Sequence, residues 1–199
     1  MIHLPKRYSD HEREYIKKRL KEEAADCIAK YGIKRTTVDE IVKRVKIPKG
    51  TFYLFYQSKE LLLFDVILEQ HDLIEQKLYQ SISQIDPSTF SADKLTDIIL
   101  GFYKMAMEMP ILKVLNSDEI ELLARKLPQD ILVEHLGHDD TMVERVFSSL
   151  PVKKGADTKI FSAAFRALYF STLHREEIGK EQFDDVLRTL IYGLVTQFI

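Results

Sequence analysis

The residues best suited to metal chemistry lie between positions 135 and 140. Two imidazoles and two carboxylates fall within this short stretch: His135, His138, Asp139 and Asp140. Both groups bind divalent metal ions, so a metal-dependent helical enzyme is one hypothesis. However, Gly137 is expected to break the helix between the histidines, and no second His or Cys cluster completes a conventional ligand spacing. The pattern therefore favours a surface loop, with no metal ion and no cofactor.

No catalytic residue is predicted elsewhere in the sequence. Cys27 is the single cysteine, and it lies on the inward stripe of the first predicted helix. That position is typical of a small buried hydrophobe rather than a nucleophile. The sequence also has no Gly-rich phosphate loop and no G-x-S-x-G elbow. A protein that is not an enzyme is the favoured interpretation.

The segment 36–59 indicates a different chemistry, the binding of a polyanion. Residues 1–60 hold 15 Lys and Arg against 9 Asp and Glu, whereas residues 61–199 hold 14 against 22. A basic block fused to an acidic remainder suggests that only the first part meets a polyanion. Within the segment, two short helices separated by a turn must pack across each other. The second has a size that fits the major groove of B-DNA.

Two lysines strengthen this interpretation through their places on helices. Lys49 opens the second short helix, and Lys59 lies in the first turn of the long helix that follows. A cation at a helix N-terminus opposes the macrodipole and costs roughly 0.3 kcal/mol or more. A phosphate held jointly by free N–H groups and the lysine would offset this cost. The alternative is that both lysines simply extend into solvent.

Helices are expected to position all of these residues. Apolar residues recur every three or four positions almost throughout, and no alternating run predicts a strand. Ser9 and Glu12 form a capping box for the first helix, which Gly32 is expected to stop. Thr37 and Glu40 form a second box. An all-α fold follows.

The third and fourth helices are predicted from similar signals. Pro48 precedes a short helix expected to run roughly from Lys49 to Phe55. Ser58 then caps a long helix that continues to about Ser81. The short helix leaves its outer side free for DNA.

Residues 11–65 resemble the N-terminal domain of the TetR family of bacterial transcriptional regulators. The matching pieces are Tyr31-Gly32, TTVDEI at 36–41, KGTFY at 49–53 and SKELL at 58–62. Family members are similar in architecture: three N-terminal helices bind DNA, and the rest forms a helical domain. The resemblance implies a helix-turn-helix DNA-binding domain over residues 1–60. It also implies a larger ligand-binding and dimerisation domain over residues 61–199.

The function implied by the resemblance is sequence-specific regulation of transcription. A homodimer would repress from a pseudo-palindromic operator on double-stranded DNA and be released by a small apolar or amphipathic effector. A cytoplasmic location is expected, with no membrane partner, because no apolar stretch reaches the roughly 18 residues of a membrane span. A DNA-binding protein without an effector, whose large domain recruits a protein partner, is the alternative.

The resemblance and the exposed side of the short helix together give the expected DNA-binding residues. They are Thr37, Lys49, Gly50, Thr51, Tyr53, Leu54, Tyr56 and Lys59. One departure concerns Phe55-Tyr56, where the family often has Tyr or His followed by Phe. Phe55 cannot donate a hydrogen bond to phosphate, so this contact is either lost or made by Tyr56. The alternative is that Tyr56 packs inside the domain.

Two further sets of residues are implied for the acidic remainder. Apolar stripes on the last two helices are expected to form a four-helix dimer interface through Phe161, Phe165, Leu168, Thr172, Phe183, Leu187, Leu190, Ile191 and Leu194. The expected effector pocket contains Phe64, Leu68, His71, Phe102, Tyr103, Met105 and Met109. His71 and Tyr103 are its candidate polar partners.

Overall fold

A computed structural model describes residues 8–114, 117–148, 150–151, 153 and 155–199. The first seven residues of the predicted DNA-binding domain therefore lie outside the described part. Within it the helices are α1 (Asp10–Arg35), α2 (Val38–Val45), α3 (Lys49–Phe52), α4 (Lys59–Ser83), α5 (Ala92–Glu108), α6 (Pro110–Val114), α7 (Ser117–Lys126), α8 (Gln129–Ser148), α9 (Thr158–Thr172), α10 (Arg175–Gly179) and α11 (Phe183–Phe198).

The all-α prediction is confirmed. The described residues contain helices and one short 3₁₀ turn at Pro87–Thr89, with no strand among them. None of the helices described is long and apolar enough to cross a membrane.

Two hydrophobic cores divide the molecule along α4. The first joins α1, α2 and α3 to the N-terminal half of α4, and Ile111, Leu123 and Leu127 also pack into it. The second joins the C-terminal half of α4 to α5, α9 and α11. Because one rigid helix belongs to both cores, the helices behind α4 are held directly against the N-terminal helices. The domain boundary expected after residue 60 stays a prediction.

The predicted caps of the first helices are largely confirmed. Ser9 accepts a hydrogen bond from the Glu12 backbone, and the Glu12 carboxylate accepts one from the Ser9 N–H at 2.8 Å. The Thr37 hydroxyl accepts from the Glu40 N–H at 3.2 Å. The Glu40 carboxylate, however, pairs with Arg44 at 2.7 Å, so the second box is only half formed.

Gly32 interrupts the helical conformation of α1 with a kink. Its φ of 74° and ψ of 176° lie in a region essentially reserved for glycine. Hydrogen bonding resumes through Arg35, and the Thr36 N–H bonds back to the Gly32 carbonyl at 3.3 Å. The expected stop at Gly32 is confirmed for the regular helix, which breaks at this residue, and one further turn follows the kink to Arg35.

Helix α3 is shorter than expected, and α8 is longer. Turns replace the helix after Phe52, so α3 spans a single turn. Helix α8 runs straight through Gly137, where the predicted break is wrong. A glycine costs a helix only about 1 kcal/mol, which packing on both sides of α8 offsets. His135 and His138 therefore lie on one helix, and the predicted surface loop does not exist.

Candidate DNA-binding surface and ligand cavity

The single turn of α3 divides its residues between two sides. Phe52 is fully buried against α1 and α2. Gly50, Tyr53 and Leu54 lie on the other side, where the two large side chains are 51% and 50% exposed. Exposed apolar side chains of this size on a basic domain are suited to contacts with base edges and thymine methyl groups. The DNA contacts expected for these three residues stay predictions.

Thr51 lies on the inward side, and its expected role as a surface contact is wrong. Its side chain is 8% exposed, and its hydroxyl lies 3.4 Å from the Tyr8 hydroxyl. Thr51 and Phe52 are neighbours in the single turn of α3 and are both buried, whereas Tyr53 and Leu54 after them are exposed. The sequence pattern predicts Thr51 on the outer side, but a small polar residue gives no signal for the side of a helix on which it lies.

Lys49 and Thr37 remain accessible at the edge of this surface. The Lys49 ammonium lies 2.9 Å from the Asp39 carboxylate, which raises the pKa of Lys49. Both side chains are more than half exposed, and an ion pair of this kind is worth little in water. A phosphate can therefore replace Asp39 at small cost. Thr37 is exposed, with its hydroxyl used to cap α2.

Lys59 is directed into the protein instead of away from it. Its ammonium donates hydrogen bonds to the Ile33 carbonyl at 3.1 Å and the Thr36 carbonyl at 2.8 Å. Burial lowers the pKa of Lys59. A cation at the C-terminal end of a helix is favourable, so Lys59 stabilises α1. The same charge lies in the first turn of α4, where it is slightly unfavourable. The phosphate contact expected for Lys59 stays a prediction, and only one of its N–H groups remains for it.

Tyr56 is buried, and its expected contact with DNA is wrong. Its hydroxyl donates a 2.6 Å hydrogen bond to the Asp65 carboxylate on α4. Lys21 on α1 donates to the same carboxylate at 2.9 Å and to Glu69 at 2.7 Å. Burial and this carboxylate raise the pKa of Tyr56. The alternative that Tyr56 packs inside the domain is the correct one, and its hydroxyl ties the helix-turn-helix to α4.

A contact that the sequence did not indicate joins the kink in α1 to α7. The Glu119 carboxylate accepts a 3.2 Å hydrogen bond from the Lys34 N–H, just beyond Gly32. Glu119 is 6% exposed. Its partner lies 85 positions earlier, so no local pattern could reveal the pair.

An apolar cavity of about 470 Å³ lies between the helices behind α4. A volume of this size suits a small-molecule ligand. Of the expected pocket residues, Phe64, Leu68, His71, Phe102 and Tyr103 line it. Lining residues that the sequence did not single out include Ile99, Leu123, Met142, Val143 and Tyr169.

Met105, Met109 and the Tyr103 hydroxyl do not take the places in the pocket that were expected for them. Met105 lines a separate surface depression beside Lys77 and Gln84. Met109 ends α5 as its C-cap and does not line the cavity, so both expectations are wrong. Tyr103 is at the cavity, but its hydroxyl donates to the Phe165 carbonyl at 2.8 Å. A methionine at helical spacing indicates a buried helix face, but it does not indicate whether that face lines a cavity or packs against another helix.

The cavity has one polar end, built by α4, α8 and α9. His71, Glu75, His135, Asp139 and Arg166 all line it there. Burial lowers the pKa of His71 and raises the pKa of Glu75 to about 7. An apolar space with polar groups at one end is complementary to an amphipathic molecule.

The last two helices bury a different face from the one expected to meet a partner. Six of the expected interface residues are buried within the chain itself: Phe161, Leu168, Thr172, Phe183, Leu187 and Ile191. For these six the prediction is wrong, because the most apolar stripe of each helix packs on its own domain. Leu190 is 46% exposed, and Phe165 and Leu194 are half-buried. For these three the interface stays a prediction.

A second apolar face on these helices remains uncovered. We call it the outer face; its members are Ile160, Ala163, Ala167 and Phe170 on α9, with Val186 and Leu190 on α11. The alanines are small enough to let another helix approach closely. The sequence also indicates this outer face, but its apolar pattern is weaker than that of the buried stripe.

A basic helix-turn-helix with a free outer side, attached to a larger helical domain, is the architecture of a DNA-binding transcriptional regulator. Residues 20–66 match the family model described as bacterial regulatory proteins, tetR family. This match confirms the resemblance over residues 20–66.

Curated relatives agree with this assignment. An uncharacterised HTH-type transcriptional regulator of Bacillus subtilis is 28% identical over 120 residues, covering 58% of this chain and 41% of that protein. The chain thus matches less than half the length of this relative. The fatty acid metabolism regulator protein of B. subtilis is 22% identical over 180 residues, covering 86% of this chain and 91% of that protein.

Solved structures share the whole fold at low sequence identity. A TetR-family regulator from Mesorhizobium loti has a TM-score of 0.61 and 14% identity, covering 93% of this chain and 97% of that one. The regulator FadR from B. subtilis, in complex with stearoyl-CoA, has a TM-score of 0.58 and 18% identity, covering 90% of this chain and 95% of that one. At these identities the likeness concerns the fold alone.

Proposed function

We propose that this protein is a homodimeric, sequence-specific repressor of transcription that works in the cytoplasm and is released from its operator by an amphipathic ligand. The observation that carries the proposal is the free outer side of α3, with Lys49, Tyr53 and Leu54 exposed on a basic domain. Two such helices, one from each subunit, would read two half-sites about one helical turn apart.

Dimerisation in this proposal uses the outer face of α9 and α11. An exposed apolar surface on two neighbouring helices needs cover, and an identical face on a second chain provides it symmetrically. Packing four helices together would fix the separation of the two α3 helices. Operator spacing is thus set by an interface that lies far from DNA.

The effector in this proposal has an apolar chain and one polar group. The cavity of about 470 Å³ is lined mostly by apolar side chains, and its polar end carries Arg166 and His71. A relative named as a fatty acid metabolism regulator, and a structural neighbour bound to stearoyl-CoA, make a long-chain acyl compound the first candidate class. Such a ligand would act by favouring a conformation whose α3 separation no longer fits the operator.

The DNA-binding part is tested by selecting bound sequences from random double-stranded DNA and titrating the winner at several salt concentrations. A pseudo-palindromic consensus bound at least about 10³-fold more tightly than random DNA is expected. Tyr53→Ala should lose operator affinity while remaining a dimer. Weak binding that is indifferent to sequence would contradict the proposal.

The effector part is tested by displacing a fluorescent fatty acid with a panel of acyl-CoA esters and free fatty acids. Ala106→Leu, which fills part of the cavity, should weaken probe binding, and Met105→Leu on the same helix should leave it unchanged. The displacing compound should also release the operator. A regulator that recruits a protein partner instead would keep its DNA affinity in the presence of every compound tested.

A further inference from the structure

Two histidine side chains at the polar end of the cavity lie on either side of one buried oxygen atom of Asp139. Asp139 Oδ1 lies 3.6 Å from His135 Nδ1, one turn earlier on α8, and 4.0 Å from His71 Nε2 on α4. The two imidazole rings meet edge to face, with their centroids 5.1 Å apart. One potential ligand atom from each of the three residues lies within 4.8 Å of the others.

Hydrogen bonding does not account for this arrangement. Both distances to Asp139 Oδ1 exceed those of hydrogen bonds. Among the described residues, Asp139 Oδ1 and His71 Nδ1 are buried without a hydrogen-bond partner. Asp139 is 8% exposed, and a buried carboxylate oxygen with no partner is costly.

A metal ion accounts for the close grouping of His135 Nδ1, Asp139 Oδ1 and His71 Nε2. A tetrahedral ion with bonds of about 2.1 Å separates its ligand atoms by about 3.4 Å, close to the 3.6 Å between His135 and Asp139. Small rotations of the side chains would bring His71 to the same distance. Two imidazoles and one carboxylate form a ligand set used by catalytic and exchangeable zinc sites.

We propose that His71, His135 and Asp139 bind a divalent transition-metal ion of the zinc class at the polar end of the cavity. The inference concerns metal binding by the chain itself and does not depend on whether the protein binds DNA. Three protein ligands leave a coordination position open, and all three residues line the cavity. Water or a polar group of a ligand in the cavity can occupy that position.

The surroundings of the three residues resemble the supporting contacts of metal sites. The other oxygen of Asp139 accepts a 3.4 Å hydrogen bond from Arg166, which orients the carboxylate with Oδ1 toward the histidines. Glu75 Oε1 lies 3.7 Å from His71 Nε2, and its second oxygen is 3.0 Å from His138. The positive charge of Arg166 opposes a cation nearby, but Arg166 also pairs with Asp140 at 3.2 Å, which offsets part of it.

The experiment uses the full chain without an affinity tag, stripped with a chelator. Calorimetric titration with zinc should give one ion per chain, and Co²⁺ should give the strong visible absorption of a tetrahedral site. Asp139→Asn should weaken zinc affinity by about 10-fold or more. Glu144→Gln, which removes an exposed carboxylate from the same helix, should bind zinc as the wild type does.

A second pair of variants tests the histidines. His135→Ala should lose the Co²⁺ absorption, whereas His174→Ala removes an exposed histidine from another helix terminus and should keep it. Circular dichroism verifies folding, and zinc should raise the unfolding midpoint of the wild type but not of Asp139→Asn. The proposal is overturned by an absence of binding, or by equal binding to the wild type and to both variants of the cluster.

Discussion

Glu119 on α7 lies directly against Gly32 at the kink in α1, and it occupies the space that a side chain at that position would need. A β-carbon built on Gly32 would lie 2.5 Å from Glu119 Oε1. The helical domain thus holds the N-terminal domain at a point where only glycine fits, both for its φ of 74° and for the close approach of the carboxylate.

Gly32→Ala is expected to destabilise the protein by about 2 to 4 kcal/mol, since it combines backbone strain of about 1 to 3 kcal/mol with displacement of Glu119. Urea denaturation monitored by circular dichroism measures the loss. Gly101→Ala is the control, because Gly101 lies within α5 with nothing near its absent side chain. That change should be neutral or stabilise by up to about 1 kcal/mol. Equal effects from the two substitutions would contradict the role of the kink.

Tyr56→Phe should reduce the free energy of unfolding by about 1 to 2 kcal/mol, because it removes the donor to the Asp65 carboxylate. Affinity for nonspecific DNA and its salt dependence should not change. The matched variant is Tyr53→Phe, whose exposed ring leaves stability unaffected. Weaker binding of Tyr56→Phe to nonspecific DNA would instead restore the phosphate contact that the structure argues against.

Lys59→Met and Lys49→Met should separate a structural lysine from a DNA-binding one. Loss of the ammonium from the Ile33 and Thr36 carbonyls should cost about 1 to 3 kcal/mol of stability. Lys49→Met should leave stability nearly unchanged and lower the salt slope of DNA binding by about 0.9, the value for one phosphate. Denaturation and salt titration of both variants measure these effects. If Lys49→Met unfolds readily and keeps its slope, the assignment is reversed.

Leu190→Arg should convert the proposed dimer to a monomer and weaken operator binding by at least about 100-fold, because it places an unpaired charge on the outer face. Analytical ultracentrifugation gives the mass in solution. Val133→Arg tests the same change on α8, at an apolar side chain that is 61% exposed and outside the outer face. That variant should stay dimeric. A monomeric Val133→Arg together with a dimeric Leu190→Arg would move the interface to α8.

Local signals were sufficient for most of the N-terminal helices. Ser9, Thr37 and Ser58 cap their helices as predicted, since a cap depends on neighbours three residues away. Cys27 is fully buried, as its place on the inward stripe predicts. The helix-turn-helix could be recognised for the same reason, because its residues are close in sequence.

Features that depend on distant parts of the chain were not predictable in this way. His71 and His135 belong to different helices, so only the fold reveals that they meet around Asp139. When a helix has two apolar faces, the two faces also compete for burial in the core. Phe161 and Leu187 have the stronger apolar pattern and pack on their own domain, which leaves Leu190 exposed.

The contact between Glu119 and Gly32 has a mechanical consequence. Leu123 lies one helical turn after Glu119 on α7, and it forms part of the cavity wall. A rigid helix transmits a displacement at one end to the next turn almost undiminished. We therefore expect a ligand that pushes Leu123 outward to move α7 as a unit. This movement would pull the Glu119 carboxylate away from the kink in α1, the helix on which α2 and α3 pack.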